Sequence, residues 1–128
     1  MTELRDVVIC APLRTPVGRM GGALATVPAL ELATTVLGAL LERTDVDPVA
    51  IDGVIGAQAY PTMEAPAIGR VAALDAGFPV TTNGYQLDRR CGSTGLDPPQ
   101  FDPCDAFLAF ECHGAVLRHA PGSNRIVE

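Results

Sequence analysis

The chain has no lysine: its nine cationic residues are all arginines, scattered among fifteen carboxylates for a formal net charge of -6. Without a clustered basic face there is no surface suited to a nucleic-acid backbone, so nucleic-acid binding is excluded. No apolar run approaches the roughly 20 residues a membrane helix requires. The start, Met1-Thr2-Glu3-Leu4-Arg5-Asp6, carries charges of both signs rather than a basic then apolar leader, which reads as a cytoplasmic chain with no membrane contact. Also missing is any C-x-x-C pair, so the four cysteines (Cys10, Cys91, Cys104, Cys112) read as free thiols rather than a disulfide framework. Cys104, Cys112, His113 and His119 make a poor zinc set, because adjacent Cys112 and His113 would diverge on a helix, and no metal is expected. Neither G-x-G-x-x-G nor G-K-[ST] occurs, which removes the common nucleotide-phosphate loops.

What remains is an ordinary globular composition, 48% hydrophobic and 19% charged over 128 residues, enough for one core and one domain. Asp6–Ala11 reads as a first buried strand, and the Pro- and Gly-rich stretch Pro12–Gly22 as an irregular loop. Pro28–Arg43 is the clearest helix, with Leu30, Ala33, Leu37 and Leu41 three or four apart and Gly38 suggesting a close contact with the sheet. Asp47-Pro48 offers the cap and first residue of a brief turn through Ile51. Gly53–Gln58 reads as a second strand, Pro66–Ala76 as a helix stopped by Gly77, and Thr82–Asp88 as a third strand. Strands alternating with helices imply an α/β fold, β-α-β-α-β, with a mostly parallel sheet flanked by helices and sites at the carboxyl ends of strands.

Cys91 falls just beyond such an end. If a helix starts there, its unpaired N–H groups and dipole favour the thiolate and make Cys91 a candidate nucleophile. An isolated cysteine in a strand-to-helix turn is more often a small buried hydrophobe, so position alone leaves both readings open.

Three ordered segments weigh toward chemistry: Arg14-Thr15-Pro16-Val17-Gly18-Arg19-Met20-Gly21-Gly22-Ala23-Leu24, Ile68-Gly69-Arg70-Val71-Ala72-Ala73-Leu74-Asp75-Ala76-Gly77 and Asp88-Arg89-Arg90-Cys91-Gly92-Ser93. In order and spacing they resemble the N-terminal domain of thiolases, the acyl-CoA C-acyltransferases (acetyl-CoA acetyltransferase, 3-ketoacyl-CoA thiolase) of fatty acid metabolism. The resemblance implies that Cys91 attacks a coenzyme A thioester and holds the acyl group as a thioester intermediate. It further implies acyl-CoA as substrate, no covalently bound cofactor, and a place near the active site and a dimer contact for the Arg14–Gly22 loop and the strand before Cys91. A β-ketoacyl synthase relative shares the cysteine-at-helix-start logic, but the Arg90-Cys91-Gly92 context is closer to thiolases.

The likeness departs at Thr94, an apparent extra residue where the family reads C-x-S-G-L-Q-A, followed by the helix-breaking Asp97-Pro98-Pro99. Residues 1–96 are therefore expected to form a partial thiolase N-terminal domain, and residues 97–128 a divergent tail produced by truncation or a frameshift. In that tail Phe107, Phe110, Gly114 and Leu117 fall at helical spacing, which predicts a helix at 103–118. The family's further acid/base residues, in G-H-P-type and Cys-Gly-rich motifs, have no counterpart around His113 or His119. The expectation is an N-terminal fragment inactive alone; the alternative is a non-catalytic fragment acting through association, a homo-oligomer or a partner chain covering its sheet edges.

Overall fold

The computed structural model describes residues 8–58, 60–88, 107–111 and 114–119. The elements run β1 (Val8–Leu13), α1 (Ala29–Thr44), a 3-10 turn (Pro48–Ala50), β2 (Gly53–Ala57), α2 (Ile68–Asp75), β3 (Asn83–Leu87), β4 (Phe107–Glu111) and β5 (Gly114–His119). They form an α/β fold around one five-stranded sheet of order β1-β5-β4-β2-β3. β2 pairs in parallel with both β3 and β4, and β5 runs antiparallel to β4 and β1. Four of the five strands thus point the same way, as the alternating pattern implies.

β1 extends further than expected, through Pro12 to Leu13, because the ladder is interrupted there: its register on β5 shifts between Cys10 and Leu13, and Ala11 takes a positive φ of 51°. A bulge at this point accommodates a proline that cannot donate to the ladder.

α1 is capped at its start by Pro28, whose extended backbone is suited to a helix entry, and at its end by Asp45 in the left-handed region, its N–H closing on the Leu41 carbonyl. Ala33, Val36, Leu37 and Leu40 turn one face into the core with Ile51, Val54, Ile68, Ala72, Ala73 and Phe78. Leu37 is fully buried, a contribution of about 2 kcal/mol from apolar burial. Buried Thr44 satisfies its hydroxyl by donating to the Leu40 carbonyl at 2.8 Å. Gly38, expected to touch the sheet, has no described residue within 4 Å of where a Cβ would stand. The Asp47-Pro48 turn forms as anticipated, the Asp47 carboxylate accepting from the Val49 N–H at 2.9 Å. No helix among the described residues is long and apolar enough to cross a membrane.

The helix expected at 103–118 is replaced by β4 and β5. Phe107, Phe110, Gly114 and Leu117 do lie at helical spacing, but glycine mid-helix costs about 1 kcal/mol and aromatic and β-branched residues suit a pleated surface better. The decisive term is non-local: β4 pairs with β2 from Gly53↔Phe107 to Ala57↔Glu111, and β5 pairs with β4 from Phe107↔Arg118 to Glu111↔Gly114. Two residues, Cys112 and His113, lie between these strands in sequence. The tail therefore contributes two strands to the same sheet rather than a helix on its face.

Candidate active site

The carboxyl ends of β2 and β3 lie side by side, with Ala57 opposite Leu87 in parallel register. One step further, the Gln58 N–H donates to the Leu87 carbonyl at 3.4 Å, a long extension of the ladder that sets Gln58 beside Asp88. This is the end of the sheet at which open α/β folds place their ligands.

Three glycines fix how α2 meets that end. A Cβ on Gly56 would stand 2.8 Å from the Gly69 nitrogen, and one on Gly69 would stand 2.7 Å from the Tyr85 carbonyl oxygen and 2.8 Å from the Gly56 nitrogen. On Gly84 it would meet the Arg70 Cα at 2.6 Å. Such distances are below any real side-chain contact, so α2 lies on β2 and β3 backbone to backbone, a close approach that only glycine permits.

The start of α2 has no capping side chain of its own, since Ala67 stands at the cap position. Instead Gln86, on the face of β3 that carries Gly84, reaches up to accept from the Ile68 N–H at 3.1 Å, satisfying one of the helix's orphan donors from a neighbouring strand. At the other end, Gly77 (φ 90°) reverses the chain, the Phe78 N–H closes on the Ala73 carbonyl at 3.0 Å, and the buried Phe78 ring anchors the turn. Arg70 of α2 holds the loop that precedes β3, donating to the carbonyls of Thr82 and, at 2.8 Å, Val80. Tyr85, half-buried on the opposite face of β3, has its phenol pushed above the ordinary tyrosine value by burial.

Gln58 is the polar residue of this strand end that sequence reading passed over except as the close of a strand. Its side chain is only 5% exposed, and its carbonyl oxygen Oε1 has no hydrogen-bond partner among the described residues. Pleat alternation puts it on the same face as Gly56, toward the start of α2.

Cys91, the expected nucleophile, lies outside the described residues, as do Cys104, Cys112 and His113; His119 closes β5. The chain leads from the end of β3 at Leu87 through Asp88 toward Cys91. The Arg14–Gly22 loop leaves the sheet from β1 at the far edge, three strand spacings from β2 and four from β3, about 14 and 19 Å. Within that loop the Gly22 N–H closes a turn on the Arg19 carbonyl at 2.9 Å, Gly21 takes a φ of 68°, Thr15 is buried and Met20 is exposed.

The architecture is that of an α/β protein whose parallel strands β2 and β3 run out together at one end of the sheet. Residues 7–96 match the family model described as the thiolase N-terminal domain, so the chain belongs to the thiolase family. It is 43% identical over 88 residues to an acetyl-CoA acetyltransferase of Chromobacterium violaceum, covering 69% of this chain and 22% of that protein. It is also 42% identical over 120 residues to a beta-ketoadipyl-CoA thiolase of Pseudomonas aeruginosa, 92% of this chain and 29% of that one. At 92% of the chain that match extends beyond Leu96, whereas the family model ends at residue 96. Among solved structures, the Bacillus anthracis acetyl-CoA acetyltransferase superposes with a TM-score of 0.65 at 41% identity, covering 71% of this chain and 23% of that one. The chain thus spans roughly a fifth to under a third of the length of these relatives.

Proposed function

We propose that this chain carries the acyl-accepting part of a thiolase-type acyltransferase, with Cys91 as the nucleophile. The observation that supports it most is the match over residues 7–96, which contains the cysteine motif and ends just after it. The parallel strand β3, held by glycine contacts and running out at Leu87, is a rigid lead into that motif. In the proposed step the Cys91 thiolate adds to the carbonyl carbon of an acyl-CoA. The carbon–sulfur bond to coenzyme A then breaks, coenzyme A leaves as its thiolate and takes a proton, and the acyl group remains as a thioester on Cys91.

Completing a carbon–carbon exchange needs a second acid/base for the carbon acid and donors for the thioester oxyanion. Within these 128 residues the two histidines lie in Glu111-Cys112-His113-Gly114 and Arg118-His119-Ala120, unlike the family's G-H-P-type motif. Acyl loading without onward transfer is therefore the activity expected of this chain alone. Incubation with acetyl-CoA followed by intact mass spectrometry should show one acetyl adduct, mapped to Cys91 and absent in Cys91→Ser. No adduct between pH 6 and 10 would sink the reading.

A second reading, association without catalysis, is favoured by the outer edge of β3, which pairs only with β2 among the described residues. Loops leaving the same end of the sheet expose Met20, Tyr60 and Met63. Such an edge is stabilised when a second copy or a partner chain covers it. Light scattering after size exclusion would remove this reading if the chain runs as a well-folded monomer.

A further inference from the structure

An asparagine followed by glycine is prone to cyclise on its own backbone, because glycine puts no side chain beside the attacking nitrogen and lets the peptide turn freely. Here that pair is Asn83-Gly84, the first two residues of β3. Asn83 is exposed, and its N–H donates inward to the Asp52 carbonyl at 3.0 Å. Successive residues of a strand bond to opposite sides, so the Gly84 N–H points outward. On that side β3 is the edge of the sheet, paired only with β2 among the described residues. The nitrogen that would attack therefore makes no ladder bond among them. Asp52-Gly53, which leads into β2, is a pair of the same kind in the opposite setting. Its Asp52 carbonyl faces β3, so the Gly53 N–H turns the other way, toward β4 inside the sheet.

We propose that Asn83-Gly84 is a self-modification site, where the chain converts spontaneously to aspartyl and isoaspartyl forms and the isoaspartyl form loosens β3. The Gly84 nitrogen adds to the side-chain carbonyl carbon of Asn83, the side-chain nitrogen leaves as ammonia carrying the displaced proton, and a cyclic imide closes. Water opens the imide at either carbonyl. One opening leaves aspartate on an unchanged main chain; the other reroutes the main chain through the side-chain carbon, lengthening it by one methylene. β3 has no slack for that methylene. A Cβ on Gly84 would stand 2.6 Å from the Arg70 Cα, so α2 blocks one direction, while the Asn83–Asp52 bond fixes the start of the strand. An isoaspartyl β3 has to slip on β2 or part from α2.

The site is independent of Cys91, and its test needs no acyl-CoA. The intact wild-type chain is incubated folded at mildly alkaline pH beside a free peptide of residues 80–88, and both are followed by peptide mapping with fragmentation that tells isoaspartate from aspartate. Both products should form at position 83, about thirtyfold more slowly than in the free peptide, because Asn83 gives up about two net hydrogen bonds to β2 before it can cyclise. Asn83→Ser, polar but without the amide, should form neither. Asp52, which cyclises with loss of water, should be slowed at least about tenfold further relative to its own free peptide, since its glycine nitrogen lies inside the sheet. The isoaspartyl fraction, separated by chromatography, should unfold at lower urea than the unmodified chain. Asn83→Asp, which gains the charge without the methylene, should unfold where the wild type does. Conversion at Asn83 more than about a hundredfold slower than in the free peptide would mean that the pair opens only with the whole domain, and overturns the proposal whether or not the variants fold. So would Asp52 slowed no more than Asn83, or an isoaspartyl chain with the wild-type urea midpoint.

Discussion

The two helices of this fold are held by opposite means. α1 is gripped by its side chains: Ala33, Val36, Leu37 and Leu40 fill the core, and a Cβ on its one glycine would meet none of the described residues. α2 is gripped by its backbone, with Gly69 against Gly56 and the Tyr85 carbonyl, and Arg70 against Gly84. Side-chain packing is tolerant, since neighbouring rotamers can absorb a change, whereas two backbones at van der Waals distance cannot yield independently. The tolerant helix stands away from the candidate site. The intolerant one starts at the strand ends that lead toward Cys91, which is the region where small displacements cost most in a site that must be preorganised.

The sharpest way to break this comparison is Gly69→Ala. In an exposed helix the change would gain about 1 kcal/mol from propensity. Here the methyl would be driven to within 2.8 Å of two backbone atoms, so a net loss of about 3 kcal/mol is expected, at the upper end of overpacking costs. Urea unfolding with an unchanged slope measures it, and a loss below 1 kcal/mol would mean that α2 can lift from the sheet.

Next in size is Gln86→Leu. The side chain is half-buried and supplies the N-terminal cap that Ala67 cannot, so removal should cost about 1–2 kcal/mol, as for lost helix caps. The loss should be local: amide exchange should accelerate across the first turn of α2 and stay unchanged in α1. Equal acceleration in both helices would show that the cap stabilises the whole domain rather than the site's helix.

These two regions also differ in how legible they were. α1, the Asp47 turn, the Gly77 stop and the three leading strands follow from short-range signals, namely apolar spacing, capping chemistry and glycine conformation, all within a few residues of the element they specify. What holds α2 is long-range: Gly56, Gly69 and Gly84 matter only because β2, α2 and β3 meet, and the Gln86 cap spans 18 positions of sequence. Glycines inside strands do hint at close backbone approach, a signal available at Gly56 and Gly84. The tail failed for the same reason. Phe107, Phe110 and Leu117 satisfy a helical period and a strand equally, and pairing with β2, over fifty residues away, decides between them. Gln58 gave no local sign at all, because a glutamine after an apolar strand is unremarkable until its burial and open carbonyl are seen.

Gly38→Ala gives the smallest and most telling effect, because it has the opposite sign. Sequence logic placed a close contact at this glycine, which would make alanine destabilising. Among the described residues, none comes within 4 Å of a Cβ built there, in the middle of a 16-residue helix. Alanine there meets no described residue, restricts the unfolded chain and removes the glycine penalty, so a gain of about 0.5–1 kcal/mol is expected. For a domain of this size that is a rise in Tm of roughly 2–6 °C, readable by circular dichroism. The same glycine-to-alanine change thus stabilises where a helix is held by side chains and destabilises where it is held by backbone. Measuring the two in one chain separates the mechanisms without reference to any activity, and a loss of stability at Gly38 would show that α1 too is seated on backbone contact.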